Sequence, residues 1–227
     1  MPISEVFNED NMIGMARFPD KYFDLALIDP PYFSGPEKRK YYGKKASSIG
    51  VKRVYKHITE WEMPTEILLN EVKRVSKNYI FFGCNYFNFN FHSGRIVWDK
   101  VNDSSDFSDC EIAATDLFDH VRIVRYMWNG MLQGESPLNG SKMQGNKRLN
   151  EIRIHQTQKP VNLYKLILHR YATPGMKILD THMGSQSSRI AAFNMGFDYY
   201  GWELDPEYFE VGNKRFQMQT SQTNLFT

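Results

Sequence analysis

Apolar residues along this chain come in short blocks whose period switches between two and nearly four. "YFDLALI" (22–28) is a compact apolar run stopped by Asp29 and two prolines, and it predicts a buried strand. "NYIFFGC" (78–84), "RIVWDK" (95–100), "DCEIAAT" (109–115) and the alternating "VRIVRYMW" (121–128) predict four more strands. "MKILD" (176–180) and "DYYGWE" (198–203) predict the last two. Between them lie helical patterns. "NEDNMIGMARFPD" (8–20) reads as a short helix with Met12, Met15, Ala16 and Phe18 on one side. "MPTEILLNEVKRVS" (63–76) is amphipathic with Pro64 in its first turn, and "PVNLYKLILHRYA" (160–172) is opened by Pro160. "SSRIAAFNMG" (187–196) ends at Gly196, "DPEYFEVGNKRF" (205–216) follows, and the polar tail from Gln217 reads as frayed. Strands alternating with helices predict an α/β domain of the Rossmann-like kind. Its central sheet is mostly parallel, with helices on both faces. Short connections between the middle strands put antiparallel pairing at one edge. Two polar stretches, 34–60 and 129–156, are long for loops in a single domain spanning 1–227, and such loops are functional or disordered.

Composition narrows the classes. With 227 residues, 41% of them hydrophobic, the chain can bury the core of one large α/β domain. Its net charge of +2 rules out a polycation, but the charge is uneven. Between Ser34 and His57 eight basic residues face one acid, Glu37, and Tyr41, Tyr42 and Tyr55 interleave. A basic, aromatic-bearing loop suits a nucleic-acid backbone, which makes Lys38, Arg39, Lys40, Lys44, Lys45, Lys52 and Arg53 candidate DNA contacts. The alternative is a solvated lysine-rich loop. Cys84 and Cys110 form no CxxC and no zinc spacing, so no metal is expected and a reduced, cytoplasmic compartment fits. The N-terminus lacks a signal-peptide pattern, and no apolar run is long enough to span a bilayer.

Two strand ends carry the candidate chemistry. The first is "IDPPY": Asp29 sits at the carboxyl end of a strand, where open α/β sheets place their ligands. The prolines stiffen the turn. The Asp29 carboxylate and the Pro30 carbonyl are then two fixed acceptors, which match the two donors of an exocyclic amine. Tyr32 offers a ring on which a flat base can stack. An ordinary type I turn is the bland alternative. The second is "ILDTHMGSQSSRIAAFNMGFDYYGWELD", with the βαβ pattern of a nucleoside site. Glycine at Gly184 allows close backbone approach, Ser185, Ser187 and Ser188 follow, and Glu203 is 23 residues beyond Asp180, where an acid would take ribose hydroxyls. Asp205 comes two residues later. A single glycine in place of GxGxxG argues against a dinucleotide, and a plain βαβ turn with a serine cap is the alternative.

Together these stretches resemble the amino-group DNA methyltransferases that use S-adenosylmethionine, and the similarity runs over nearly the whole chain. "DLALIDPPY" matches the catalytic Asp-Pro-Pro-Tyr motif at Asp29, Pro30, Pro31 and Tyr32. "NED" places Asp10 where the family has an acid that receives the cofactor adenine. "HQTQKPVNLYKLILHRYATPGMKILD" matches the approach to the cofactor motif, with Gln158, Lys159 and Pro160 in the corresponding places. The catalytic motif precedes the cofactor motif, which is the order of the β subgroup. One departure stands out. Where the family reads Asp-Pro-Phe-x-Gly-Ser-Gly-Thr, Thr181 and His182 replace Pro-Phe, and Gln186 and Ser187 replace Gly-Thr. His182 still offers a flat ring, or is a solvated turn histidine; Gln186 brings a side chain where glycine was expected.

The resemblance implies methyl transfer to the N6 amine of an adenine flipped out of DNA, with S-adenosyl-L-homocysteine as product. It implies Asp10, Asp180, His182, Gly184, Ser185, Ser187, Glu203, Asp205 and Pro160 around the cofactor, with Lys159 on its methionine carboxylate. Residues 129–156 become a candidate target-recognition loop, whose size suggests a short target or help from a second subunit in a homodimer. Cytosine-N4 methylation is the rival within enzymes. The rival from another class is a weakly catalytic nucleic-acid-binding protein whose cofactor loop has drifted.

Overall fold

The computed structural model describes residues 1–32, 61–103, 108–129 and 132–221. Ten strands follow in chain order: β1 (Ser4–Phe7), β2 (Phe23–Ile28), β3 (Ser76–Phe82), β4 (Gly94–Asp99), β5 (Cys110–Thr115), β6 (Val121–Arg125), β7 (Trp128–Asn129), β8 (Leu132–Gln133), β9 (Lys177–Asp180) and β10 (Asp198–Trp202). Eight of them form one sheet in the order β1-β10-β9-β2-β3-β5-β4-β6, while β7 and β8 pair separately as a short antiparallel ribbon. The pairings of the large sheet are parallel except the two made by β5. Antiparallel pairing is thus confined to one side, as the short connections predicted, and comes from a single reversed strand third from the β6 edge.

Burial on both faces explains the apolar run of β2, as expected of an inner parallel strand. Leu25 and Leu27 join one core with α3 (Val161–Tyr171) and α4 (Ser187–Asn194). Ala26 and Ile28 join a second core with α1 (Asn11–Met15) and α2 (Glu66–Val75). The last helix, α5 (Pro206–Ser221), packs on α4. Register then levels the strand ends that matter. Ile28 lies opposite Phe81, Ala26 opposite Leu179 and Gly201 opposite Asp180. The residues that follow β2, β9 and β10 therefore emerge beside one another.

Several local expectations change. β1 carried too few apolar residues to be read as a strand. Its partner β10 lies almost 200 residues away, and the Ile3 N–H donates to Asp198 Oδ1 at 2.8 Å to start the pairing. Pro64 precedes the Thr65 N-cap of α2 and lies outside the first turn. In α1 the buried pair is Gly14 and Met15 while Ala16 is exposed, and the Trp202 indole lies so close to Gly14 that a Cβ there would stand 1.8 Å from it. Helix α5 runs on to Ser221 instead of fraying at Gln217, with Thr220 buried and donating to the Phe216 carbonyl. The 129–156 stretch contains β8, a bridge between Gly134 and Met143 and a single 3-10 turn at Lys147–Leu149. The basic stretch 34–60 lies outside the described residues. Among the described residues no helix is long and apolar enough to cross a membrane.

Candidate active site

Asp29 follows the last residue of β2, and Pro30 and Pro31 lead the chain away with no backbone N–H to compete for its carboxylate. Its Oδ1 accepts from Lys159 Nζ at 2.5 Å and from the Tyr32 hydroxyl at 2.8 Å. Among the described residues nothing donates to Oδ2. Lys159 comes from the residue before the Pro160 cap of α3. Its ammonium also reaches Glu111 Oε2 at 2.9 Å and the Tyr32 oxygen at 2.9 Å. Glu111 is the second residue of reversed strand β5, and its other oxygen takes Lys100 Nζ at 2.7 Å. Two carboxylates, two ammonium groups and one phenol form a largely buried set with no net charge.

Burial and charge oppose each other throughout this set. Burial raises the Asp29 pKa; Lys159 pulls it down and Glu111 pushes it up, and the result lies above the ordinary carboxylate value. Burial works against the Lys159 charge, but Asp29 and then Glu111 outweigh it and hold the ammonium pKa up. Burial also works against ionised Glu111, yet Lys159 and then Lys100 bring it down to about 2. The Tyr32 phenol is held well above its usual value by burial and by the charges of Asp29 and Glu111, so it stays a donor.

The Tyr32 ring is packed as tightly as its hydroxyl is tied. It stacks on half-exposed Tyr86 with centroids 5.1 Å apart and planes 14° apart. Behind it lies Gly83 at φ +69°, where a Cβ would stand 2.1 Å from Tyr32 Cε1. Only glycine accepts both that backbone and that approach.

A cavity of 680 Å³ joins the two strand ends that the sequence singled out. Asp29, Pro30 and Pro31 form part of its wall; Thr181, His182 and Gly184 after β9, and Glu203 and Asp205 after β10, form another. Asp10 lines it from the N-cap of α1, where its Oδ1 accepts from Met12 and Ile13 N–H. The Tyr32 ring does not line it. Five acids face this space and no lysine or arginine does, among the described residues. A cationic sulfonium fits such a wall, and a pyrophosphate does not. Glu203 crosses to the glycine turn, Oε2 accepting from Gly184 N–H at 2.8 Å and Oε1 from Asp205 N–H at 2.9 Å. Burial holds the Glu203 pKa up and that of His182 down, the latter to about 4, so the imidazole is a neutral flat ring at pH 7.

Other candidates take different places. Lys159 does not reach the cavity; its ammonium belongs to Asp29 and Glu111. Asp180 is buried behind the turn, accepting from His182 N–H, Ser188 Oγ and the Tyr199 hydroxyl, and burial lifts its pKa to about 7. Ser185 and Ser187 bond one another, and Arg215 donates to the Ser185 carbonyl and to Ser187 Oγ. Pro160 is a buried cap. Gln186 keeps the left-handed backbone a glycine would adopt, at φ +60°. Its side chain turns away from the cavity against α5, bonding the Phe209 carbonyl and Asn213 at 3.2 Å each. A Cβ at Gly212 would lie 2.7 Å from that amide, so a glycine in α5 makes room for the glutamine in the turn. Lys38, Arg39, Lys40, Lys44, Lys45, Lys52 and Arg53 lie outside the described residues.

Sequence reading missed Glu111 and Lys100, which no motif marks and which meet only because Asp99 pairs with Cys110 across the β4–β5 turn. It also missed the aromatic wall of His155, stacked on Trp61 at 6.0 Å and tilted against Tyr208 at 4.2 Å. The Glu151–Arg215 ion pair, 2.5 Å and buried, was missed too.

A profile of the N6/N4 family described as DNA methylase matches residues 119–214. The type II methyltransferase M.HinfI of Haemophilus influenzae is 23% identical over 95% of this chain and 68% of its own length. The type II methyltransferase M2.MboI of Moraxella bovis is 24% identical over 89% of this chain and 83% of its own. The crystal structure of an M1.HpyAVI–SAM complex shares the fold with a TM-score of 0.55 at 17% identity, over 93% of this chain and 98% of that one.

Proposed function

We propose that the chain is an N6/N4 amino-group DNA methylase, as its profile match and relatives support, and that it methylates the N6 amine of an adenine extruded from DNA, with S-adenosylmethionine as donor. One observation carries the reading: Asp29 and Pro30 share a single acid-lined cavity with the Gly184 turn and Glu203. Glu203 takes the ribose hydroxyls, and Gly184 lets the backbone come close. Asp10 receives the adenine end, and His182 supplies a flat neutral face. When bound, the cofactor supplies an electrophilic methyl on a sulfonium that leaves as a neutral thioether.

Adenine N6 is a weak nucleophile because its lone pair is delocalised into the ring. Asp29 Oδ2 and the Pro30 carbonyl accept its two hydrogens. They draw the nitrogen toward a tetrahedral geometry and turn its lone pair to the methyl. As the N–C bond forms, positive charge grows on N6, and the partly buried Asp29 carboxylate opposes it. Asp29 need not be a strong base, since the proton can leave after transfer. Extruding the base costs on the order of a few kcal/mol. The basic stretch from Lys38 to Arg53 contacts the DNA phosphates.

The test is incubation with methyl-labelled cofactor and mixed-sequence DNA, followed by nucleoside analysis. Label in N6-methyladenine is the expected result. Label in N4-methylcytosine would replace the base but keep the mechanism, and no label in DNA would overturn the reading.

A further inference from the structure

Resting on the reading of Asp29 as the residue that accepts the amine, we propose that Glu111 is a positioning residue that shares the Lys159 ammonium with Asp29 and takes it over when the amine arrives. Three observations support this. First, the ammonium sits between the two carboxylates, 2.5 Å from Asp29 Oδ1 and 2.9 Å from Glu111 Oε2. A short shift exchanges one partner for the other. Second, Glu111 is held for the purpose. Lys100 pins its far oxygen at 2.7 Å and is itself seated over the Trp98 ring at 5.0 Å. Third, the balance of charge requires a second acid. A buried carboxylate at Asp29 needs a cation while no base is bound. The same cation, left fully on Asp29, would cancel the negative charge that the forming N6 cation needs. Glu111 resolves the conflict by giving Lys159 an alternative partner in the same buried space. Lys159 is thus a counter-ion that must move aside, which explains why it faces the catalytic carboxylate and not the cofactor cavity.

The groups facing Asp29 are Tyr32 on its own turn, Lys159 and Tyr164 around the start of α3, Glu111 on β5 and Asp180 at the end of β9. Glu111 raises the Asp29 pKa and Lys159 lowers it. Removing the Glu111 charge leaves Lys159 wholly on Asp29, and both changes lower that pKa.

Glu111→Gln, which keeps shape and removes charge, tests this by steady-state methyl transfer across pH. At the plateau of the pH profile kcat should fall about tenfold or more, roughly 1.4 kcal/mol or more on the barrier, with cofactor affinity within about twofold of wild type by calorimetry. The acid limb of the kcat profile should move to lower pH, a readout that a merely structural Glu111 would leave in place. Glu111→Gln/Lys159→Met should be faster at its plateau than Glu111→Gln alone, because the cation that cancels Asp29 is gone. Glu111→Asp should recover part of the rate. Additive losses in the double variant, or an acid limb that stays put, would overturn the role of Glu111 while wild-type turnover leaves the methylase reading intact. A wild-type protein that transfers no methyl to DNA would remove both.

Discussion

At Asp29, Oδ1 takes Lys159 and Tyr32, and under the proposed function Oδ2 is the oxygen that meets the incoming amine. Replacing Asp29 with alanine removes one of the two acceptors for N6 and the charge that opposes the forming cation. Asp29→Ala should lower kcat by about 10²–10³-fold, the scale of losing one preorganised electrostatic partner. Cofactor affinity, set mainly by the opposite wall, should change less than tenfold by calorimetry. Retained turnover would move the chemistry elsewhere. Asp180 behaves differently because it is sealed behind the turn. Its folded-state pKa of about 7 lies well above the ordinary aspartate value, so burial favours the protonated form. That contribution is fully present below about pH 4 and is lost as pH rises through 7, a change of up to about 4 kcal/mol. Asp180→Asn should flatten the fall in unfolding free energy between pH 4 and 7.5, followed by urea denaturation. An unaltered slope would assign it to other groups.

At the scale of elements, α5 is tied to the cofactor turn and to α3 through one pair of buried charges. Glu151 accepts from Val161 N–H at the start of α3, from Gln158 and from Arg215, which also holds the Ser185 carbonyl. Arg215→Ala would leave a buried carboxylate without its cation. It should cost about 3–5 kcal/mol in urea unfolding and weaken cofactor binding by loosening Ser185. A change below about 1 kcal/mol would mean Glu151 finds another donor or takes up a proton. Most of these elements were legible from period alone, since two-sided burial forces continuous apolar runs in β2 and β3 and one-sided burial spaces the apolar positions of α2. What period could not carry was β1, whose stability lies in a partner far along the chain, and the length of α5, which Arg215 anchors by contacts outside its own helix and Thr220 by its burial and its bond back to Phe216. At the site, Asp29–Tyr32, Gly184 and Glu203 were readable because backbone stiffness and strand-end position mark them. Glu111 was not, because its role depends on which strand runs backwards. Gln186 was misjudged as an intrusion, because its accommodation lies in Gly212 on another helix.

For the whole molecule, the sequence is basic at 34–57 while the cavity is lined by acids, and under the proposed function these would serve the phosphates and the cationic cofactor respectively. Changing Lys38, Lys40, Lys44 and Lys45 to glutamine should weaken DNA binding alike for all sequences. The slope of log affinity against log salt should become shallower by about 0.9 for each lysine that meets a duplex phosphate. Filter binding between 50 and 200 mM salt measures this, and a slope that does not change would take the stretch out of the DNA path. β5 adds a consequence of its own. A strand that runs against its neighbours begins where they finish, so the chain leaving Asp99 and the chain arriving at Cys110 lie at the strand ends that carry Lys100 and Glu111, joined to Asp29 through Lys159. A foreign sequence-reading module spliced between those two anchors would be delivered to the side of the sheet that carries Asp29, with no change to the strands beneath.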